Sequence, residues 1–92
     1  MIGSWFEWDD AKERINTEKH DVSFQGAATA FLDVHRVIAR DQTHSTDEQR
    51  WFCYGQTDRG ILTVRFTYRG DRIRIIGAGY WRQGKRKYES QQ

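Results

Sequence analysis

Three runs of alternating apolar and polar residues, at 50–55, 61–68 and 72–78, are separated only by Thr57-Asp-Arg-Gly60 and Arg69-Gly-Asp71. Alternation with a period of two marks a strand with one buried face. Links this short, with Gly beside Asp or Arg, return the chain as tight hairpins. The second half is therefore an antiparallel meander, and the rest of the chain must pack around it. In the middle run Leu62, Val64, Phe66 and Tyr68 point one way and Thr63, Arg65 and Thr67 the other. In the last run Ile73 and Ile75 face the core while Arg72 and Arg74 face outward, and Ile76 breaks the pattern.

The flanks supply the other layers. Ser4-Trp-Phe-Glu-Trp8 suits an edge strand, and Asp9-Asp10 caps a helix running to about Lys19. Only Ala11, Ile15 and Glu18 share a face of that helix, a stripe thin enough to predict a place at the sheet's margin. Ser23 caps a second helix in which Phe24, Ala27, Ala28, Phe31 and Leu32 form a core-facing stripe. Residues 34–41 read as a strand, 41–48 as a polar loop, and 81–92 as a closing helix weakened by Gly84. The expected fold is α+β: two N-terminal helices on a four- or five-stranded antiparallel sheet, with a short C-terminal helix. Ninety-two residues close one core and not two, so residues 1–92 are expected to form a single domain.

Charge is distributed unevenly. Residues 1–49 hold 5 Lys+Arg against 10 Asp+Glu and residues 50–92 hold 10 against 3, so the net +2 conceals halves of −5 and +7. That asymmetry points to a polyanion-binding half beside an acidic half that braces it or meets a basic partner. Cys53, the sole cysteine, lies in an aromatic run; it reads as a buried structural thiol, with a reactive thiol as the alternative, and no intrachain disulfide can form. No apolar stretch nears the roughly 20 residues of a membrane span, and the start lacks a signal-peptide pattern. A soluble, cytoplasmic protein is expected. Four Trp exceed what so small a core readily buries, which points some toward an interface.

The candidate chemistry is cationic and aromatic. Arg65, Arg72 and Arg74 share one open sheet face, with Arg50 beside them, a guanidinium set suited to phosphate. The competing reading is an ordinary solvated face. Tyr80-Trp81-Arg82 and Lys85-Arg86-Lys87-Tyr88 interleave rings with cations, as single-stranded RNA requires, although Trp81 can equally anchor its helix to the core. Gly77-Ala-Gly79 reads as a strand-to-helix turn and matches no phosphate loop. His20, His35 and His44 match no ligand spacing, so no metal or cofactor is expected. The residue types present fit RNA cleavage by the substrate's own 2′-OH, in which the protein orients the chain, neutralises the phosphorane and moves protons.

Along nearly its whole length the chain resembles the BrnT toxins of bacterial type II toxin–antitoxin modules. The resemblance rests on Phe6-Glu-Trp-Asp9, Lys12, Asn16, Lys19-His20, Val22-Ser-Phe24, Ala27, Ala28, Phe31 and Asp33. It continues through Asp41, His44-Ser45, Glu48, Arg50, Arg74-Ile-Ile76, Ala78, Arg86, Tyr88 and Glu89. It implies a RelE-like fold and an endoribonuclease that halts translation. It also implies a BrnA-like antitoxin with a ribbon-helix-helix domain, which contacts DNA on the toxin's behalf and pairs two toxins into a dimer. In that reading Arg50, Arg65, Arg72 and Arg74 hold phosphate, and His20, Lys85 or Tyr88 handles protons. Tyr80, Trp81, Arg82 and Arg86 then bind RNA. Two departures stand out: Gly77-Ala-Gly79 replaces Ser-Ala-Arg, and Lys85 replaces a Glu. Arg82 or Lys85 is then the candidate substitute for the missing arginine. Two other functions use the same residues: a nucleic-acid-binding module without catalysis, and a pure interaction protein.

Overall fold

The two short links do close as hairpins. In the computed structural model, which describes residues 5–43 and 47–92, β3 (Arg50–Thr57), β4 (Gly60–Arg69) and β5 (Arg72–Gly79) form the meander. Thr57 pairs with Gly60 and Arg69 with Arg72, leaving two residues in each turn. Gly60 and Gly70 have φ of +129° and +62°, conformations that a residue with a Cβ rarely adopts. Before the meander lie β1 (Phe6–Glu7), α1 (Asp10–His20), α2 (Phe24–Ala28) running into a 3-10 turn (Thr29–Leu32), and β2 (Val37–Asp41). After it comes α3 (Arg82–Ser90). The polar loop after β2 is described only in part, and its His44-Ser45 segment lies outside the described residues.

The sheet order is β1-β5-β4-β3-β2. It is mixed, which corrects the expected antiparallel arrangement: β1 runs parallel to β5, with Phe6 opposite Ile73 and Glu7 opposite Arg74. No hairpin ties β1 to its neighbour, because two helices and three strands intervene, so its direction is free to follow the route into α1. The break at Ile76 is a β-bulge. Arg65 pairs with Gly77 while Phe66 pairs with Ile75, leaving Ile76 as the extra residue. The hairpin register already sets Arg72 and Arg74 on the face that Arg65 occupies; the bulge reverses the parity of β5 only beyond Ile75, so that Gly77 and Gly79 join that face and Ala78 turns to the core.

The opposite face carries the core. Leu62, Val64, Phe66, Ile75 and Cys53 are fully buried there against Phe24, Ala27, Ala28 and Ala30 from α2 and the 3-10 turn. Phe31 bridges Phe6 and Phe66, with ring centroids 5.2 and 5.1 Å away. Gly55 lets the 3-10 turn lie close on β3, since a Cβ there would collide with the Ala30 backbone. Ser23 caps α2 as expected, accepting from the Gly26 amide. Leu32, by contrast, is 62% exposed: the tighter 3-10 turn rotates it off the stripe that an uninterrupted helix would present.

Asp9 accepts from the amides of Ala11 and Lys12 to start α1, and Asp21, at φ 56°, ends it. The helix lies along β5 at the sheet's margin, where Asn16 replaces the strand that β1 is too short to provide. The Asn16 side chain accepts from the Ala78 amide (3.1 Å) and donates to the Ala78 carbonyl (3.0 Å) and to that of Val22 (2.9 Å). On the face away from the core, α3 crosses the meander over Thr63 and Tyr54. Gly84 is its contact point, because a Cβ there would overlap the Thr63 hydroxyl. Gly84 thus corrects its sequence reading: it allows the close approach that docks the helix. No helix among the described residues is long and apolar enough to cross a membrane.

Candidate functional site

Strand pairing arranges the non-core face of the sheet in rows. The first holds Tyr54, Thr63 and Gly79, and α3 covers it. The second holds Phe52, Arg65 and Gly77, and the third sets Thr67 beside Arg74, with Glu7 next to Arg74 on β1. Arg69 and Arg72 form the last row, at the hairpin end. Arg50, two residues before Phe52 on β3 and paired with Asp41, follows the same alternation. Arg50, Arg65, Arg72 and Arg74 therefore do gather on one face.

That face is not a bare cationic surface, and here the reading of four open arginines needs correction. Arg74 donates to Glu7 at 2.9 Å, and both side chains are about three-quarters covered. The Arg65 Nε lies 3.3 Å from the carboxylate of Asp41, which is 2% exposed. Arg69 meets Glu48 at 3.4 Å. A buried carboxylate needs a cation nearby, so Arg65 holds Asp41 as well as facing the groove. Its guanidinium also lies 5.7 Å from the Phe52 ring centroid. Arg72 is exposed at the hairpin end of the row.

The margin helix supplies a second wall. Lys12, Lys19 and His20 of α1 line one hollow of about 350 Å³ together with Arg65, Gly77 and Trp81. The His20 ring stands edge-on to the Trp81 indole, with centroids 5.2 Å apart. The indole lies over Gly79, where a Cβ would come within 2.5 Å of two of its carbons. Trp81 is 41% exposed. It neither sinks into the core nor stands free in solvent, and it fills the surface that a longer residue at 79 would occupy. Lys12 and Lys19 were visible in the sequence as residues seven apart, two helical turns on one face; only the fold aims that face at Arg65.

Other candidates stand elsewhere. Arg82 and Lys85 line a separate open hollow of about 670 Å³ with Arg59 and Tyr80 on the far side of Trp81. Tyr80 packs against the core; its hydroxyl lies 2.7 Å from that of Thr57, and Arg59 stacks over its ring at 4.8 Å. Arg86 is exposed on α3. Tyr88, on α3, is buried on the helix's inner side and its hydroxyl donates to Asp33 at 2.6 Å. That bond raises the Tyr88 pKa. For Asp33 desolvation pushes upward, but the Tyr88 hydroxyl and the amides of Gln56 and His35 outweigh it and lower its pKa. Tyr88 is thereby a fastening between α3 and the segment before β2, and the proton-transfer role read for it gives way to that. Burial pushes the Cys53 thiol up to about 12, which keeps it protonated and unreactive.

Among the described residues no group of three or more His, Cys, Asp or Glu side chains could hold a metal ion. What the face offers a ligand is guanidinium, ammonium and imidazole groups around aromatic walls, the donor set for a phosphate chain carrying bases. The family pattern described as "ribonuclease toxin, BrnT, of type II toxin-antitoxin system" matches residues 8–84. Compared one by one with curated proteins, the chain matches none. The family match runs from Trp8 through both hairpins into the first turn of α3, and so takes in the whole groove. This chain belongs to the BrnT family of ribonuclease toxins of type II toxin–antitoxin systems, which act on RNA and are partnered by an antitoxin.

Proposed function

We propose that the protein is a metal-independent endoribonuclease in which the groove between α1 and the arginine face holds the scissile phosphate. The observation that carries this reading is the convergence of Lys12, Lys19, His20 and Arg65 on one hollow beside Trp81. The substrate 2′-OH attacks the adjacent phosphorus, the 5′-oxygen leaves, and a 2′,3′-cyclic phosphate remains. Arg65 and the two lysines offset charge on the phosphorane oxygens, and His20 moves the proton. Arg74, Arg72 and Arg50 continue the cationic track for the flanking backbone. The antitoxin is of BrnA-like, ribbon-helix-helix type, and DNA is contacted through it. Support for a docking edge comes from β2, which pairs on one side only and has Leu32, Val34 and Ile38 exposed around it.

The test is incubation of the partner-free chain with RNA in EDTA. Products with 2′,3′-cyclic phosphate ends are expected, and His20→Gln should slow their formation by about 100-fold or more. Intact RNA with binding retained would overturn the catalytic reading. It would favour the non-catalytic binder, a role that Gly79 makes reasonable, since the BrnT arginine that the sequence resemblance led us to expect there is absent.

A further inference from the structure

Directly beside the groove, under the first turn of α3, the sheet face holds a smaller hollow of about 150 Å³. Its walls are aromatic: Phe52 and Tyr54 lie nearly parallel, with centroids 5.7 Å apart and planes 23° apart, and Trp81 stands across from them. Thr63 also lines it. The residue is 96% buried, yet its hydroxyl has no hydrogen-bond partner, an exception to the rule that buried polar atoms are paired. The opening is bordered by the Gln83 side chain and by the start of α3, whose N-cap residue Trp81 supplies no side-chain hydrogen bond to the first-turn amides.

We propose that this hollow is a nucleobase subsite that gives the protein its sequence preference. One unstacked base of single-stranded RNA enters it, with the aromatic rings against its faces and the Gln83 amide at the opening reading its edge. The inference rests on the reading above for the ligand being RNA. Its volume fits one flat ring system and is well short of the ~300–1,000 Å³ of pockets that take larger ligands whole. Arg65 and Trp81 line both this hollow and the groove, so the base read here belongs to a nucleotide next to the scissile phosphate. Gln83 is exposed on the first turn of α3, so Gln83→Leu separates recognition from folding.

The experiment is binding of 2′-O-methyl tetranucleotides, which lack the attacking hydroxyl, to the full chain by fluorescence anisotropy, with one position varied through the four bases. The wild-type protein should discriminate among them by about 10-fold. Gln83→Leu should shrink that spread to about 2-fold, with the melting temperature unchanged. Equal binding of all four bases by the wild type, or an unchanged order and spread in Gln83→Leu, would overturn the proposal. Base-selective binding without RNA cleavage would defeat the ribonuclease reading and leave the subsite standing; cleavage with no base preference would do the reverse.

Discussion

Asn16 is the most exposing test of how this fold is held, because one side chain does the work of a missing strand. It makes three buried hydrogen bonds, two to the backbone of Ala78 and one to the Val22 carbonyl. In Asn16→Ala the Val22 carbonyl keeps a weaker partner, the Thr17 hydroxyl at 3.3 Å. The amide and carbonyl of Ala78 lose theirs. Two buried backbone groups left unpaired cost about 1–2 kcal/mol each, less roughly 0.6 kcal/mol for the better helix propensity of Ala, so the net loss is about 1.4–3.4 kcal/mol. A chain of 92 residues is stabilised by about 5–14 kcal/mol in all, so this is a large fraction. Urea unfolding followed by tryptophan fluorescence should show the midpoint fall by about 1–2 M at an unchanged slope. Asn16→Asp sharpens the test. It keeps the acceptor for the Ala78 amide but turns a carboxylate toward two carbonyls, which raises its folded pKa above the unfolded value. Its stability is therefore greatest in acid and is lost as pH rises through the folded pKa. A loss below about 1 kcal/mol for the Ala variant, or a pH-independent Asp variant, would refute the strand-replacement argument.

Two further outcomes follow from groups outside the groove. Cys53, buried and with its pKa at about 12, should resist iodoacetamide at pH 8 in the folded chain and be alkylated fully in 6 M urea; labelling at equal rates in both would show that the core is not closed over it. For the Tyr88–Asp33 bond the signs are opposite at its two ends. Asp33, lowered from 3.8, stabilises above that value and loses its contribution as pH falls through its folded pKa. Tyr88, raised from 10.0, stabilises below that value and loses its contribution as pH rises. Tyr88→Phe should therefore lower the melting temperature at pH 7, by an amount that shrinks progressively as pH falls below 3.8, and a difference independent of pH would show that the bond does not fasten α3.

The strands, both hairpins, the caps at Asp9 and Ser23 and the burial of Cys53 were legible in the chain because each depends on neighbours a few residues away. The grouping of Arg65, Arg72 and Arg74 was legible for the same reason, since the hairpin pairs Arg72 with Arg69 and Arg74 with Thr67; what alternation misses is that the odd residue Ile76 is absorbed as a bulge, which puts Gly77 and Gly79 on that face and Ala78 in the core. The acid partners were not legible. Glu7 reaches Arg74 and Asp41 reaches Arg65 only through strand pairing, so a file of arginines that looks free in sequence is partly neutralised in space. Gly84 misled because a glycine's local cost to a helix is a sequence property, whereas the contact that requires it is with Thr63, 21 residues away.

The sequence by itself determined the meander, its two-sided faces and the concentration of positive charge in it, since alternation, turn chemistry and composition act locally and leave a sheet no other arrangement. Only the tertiary structure decided that β1 runs parallel at the edge, that Asn16 completes β5, and that α1 brings Lys12, Lys19 and His20 to Arg65 across from Trp81. Those choices depend on which surfaces meet when the core closes, and packing of that kind joins residues whose separation along the chain carries no periodic signal.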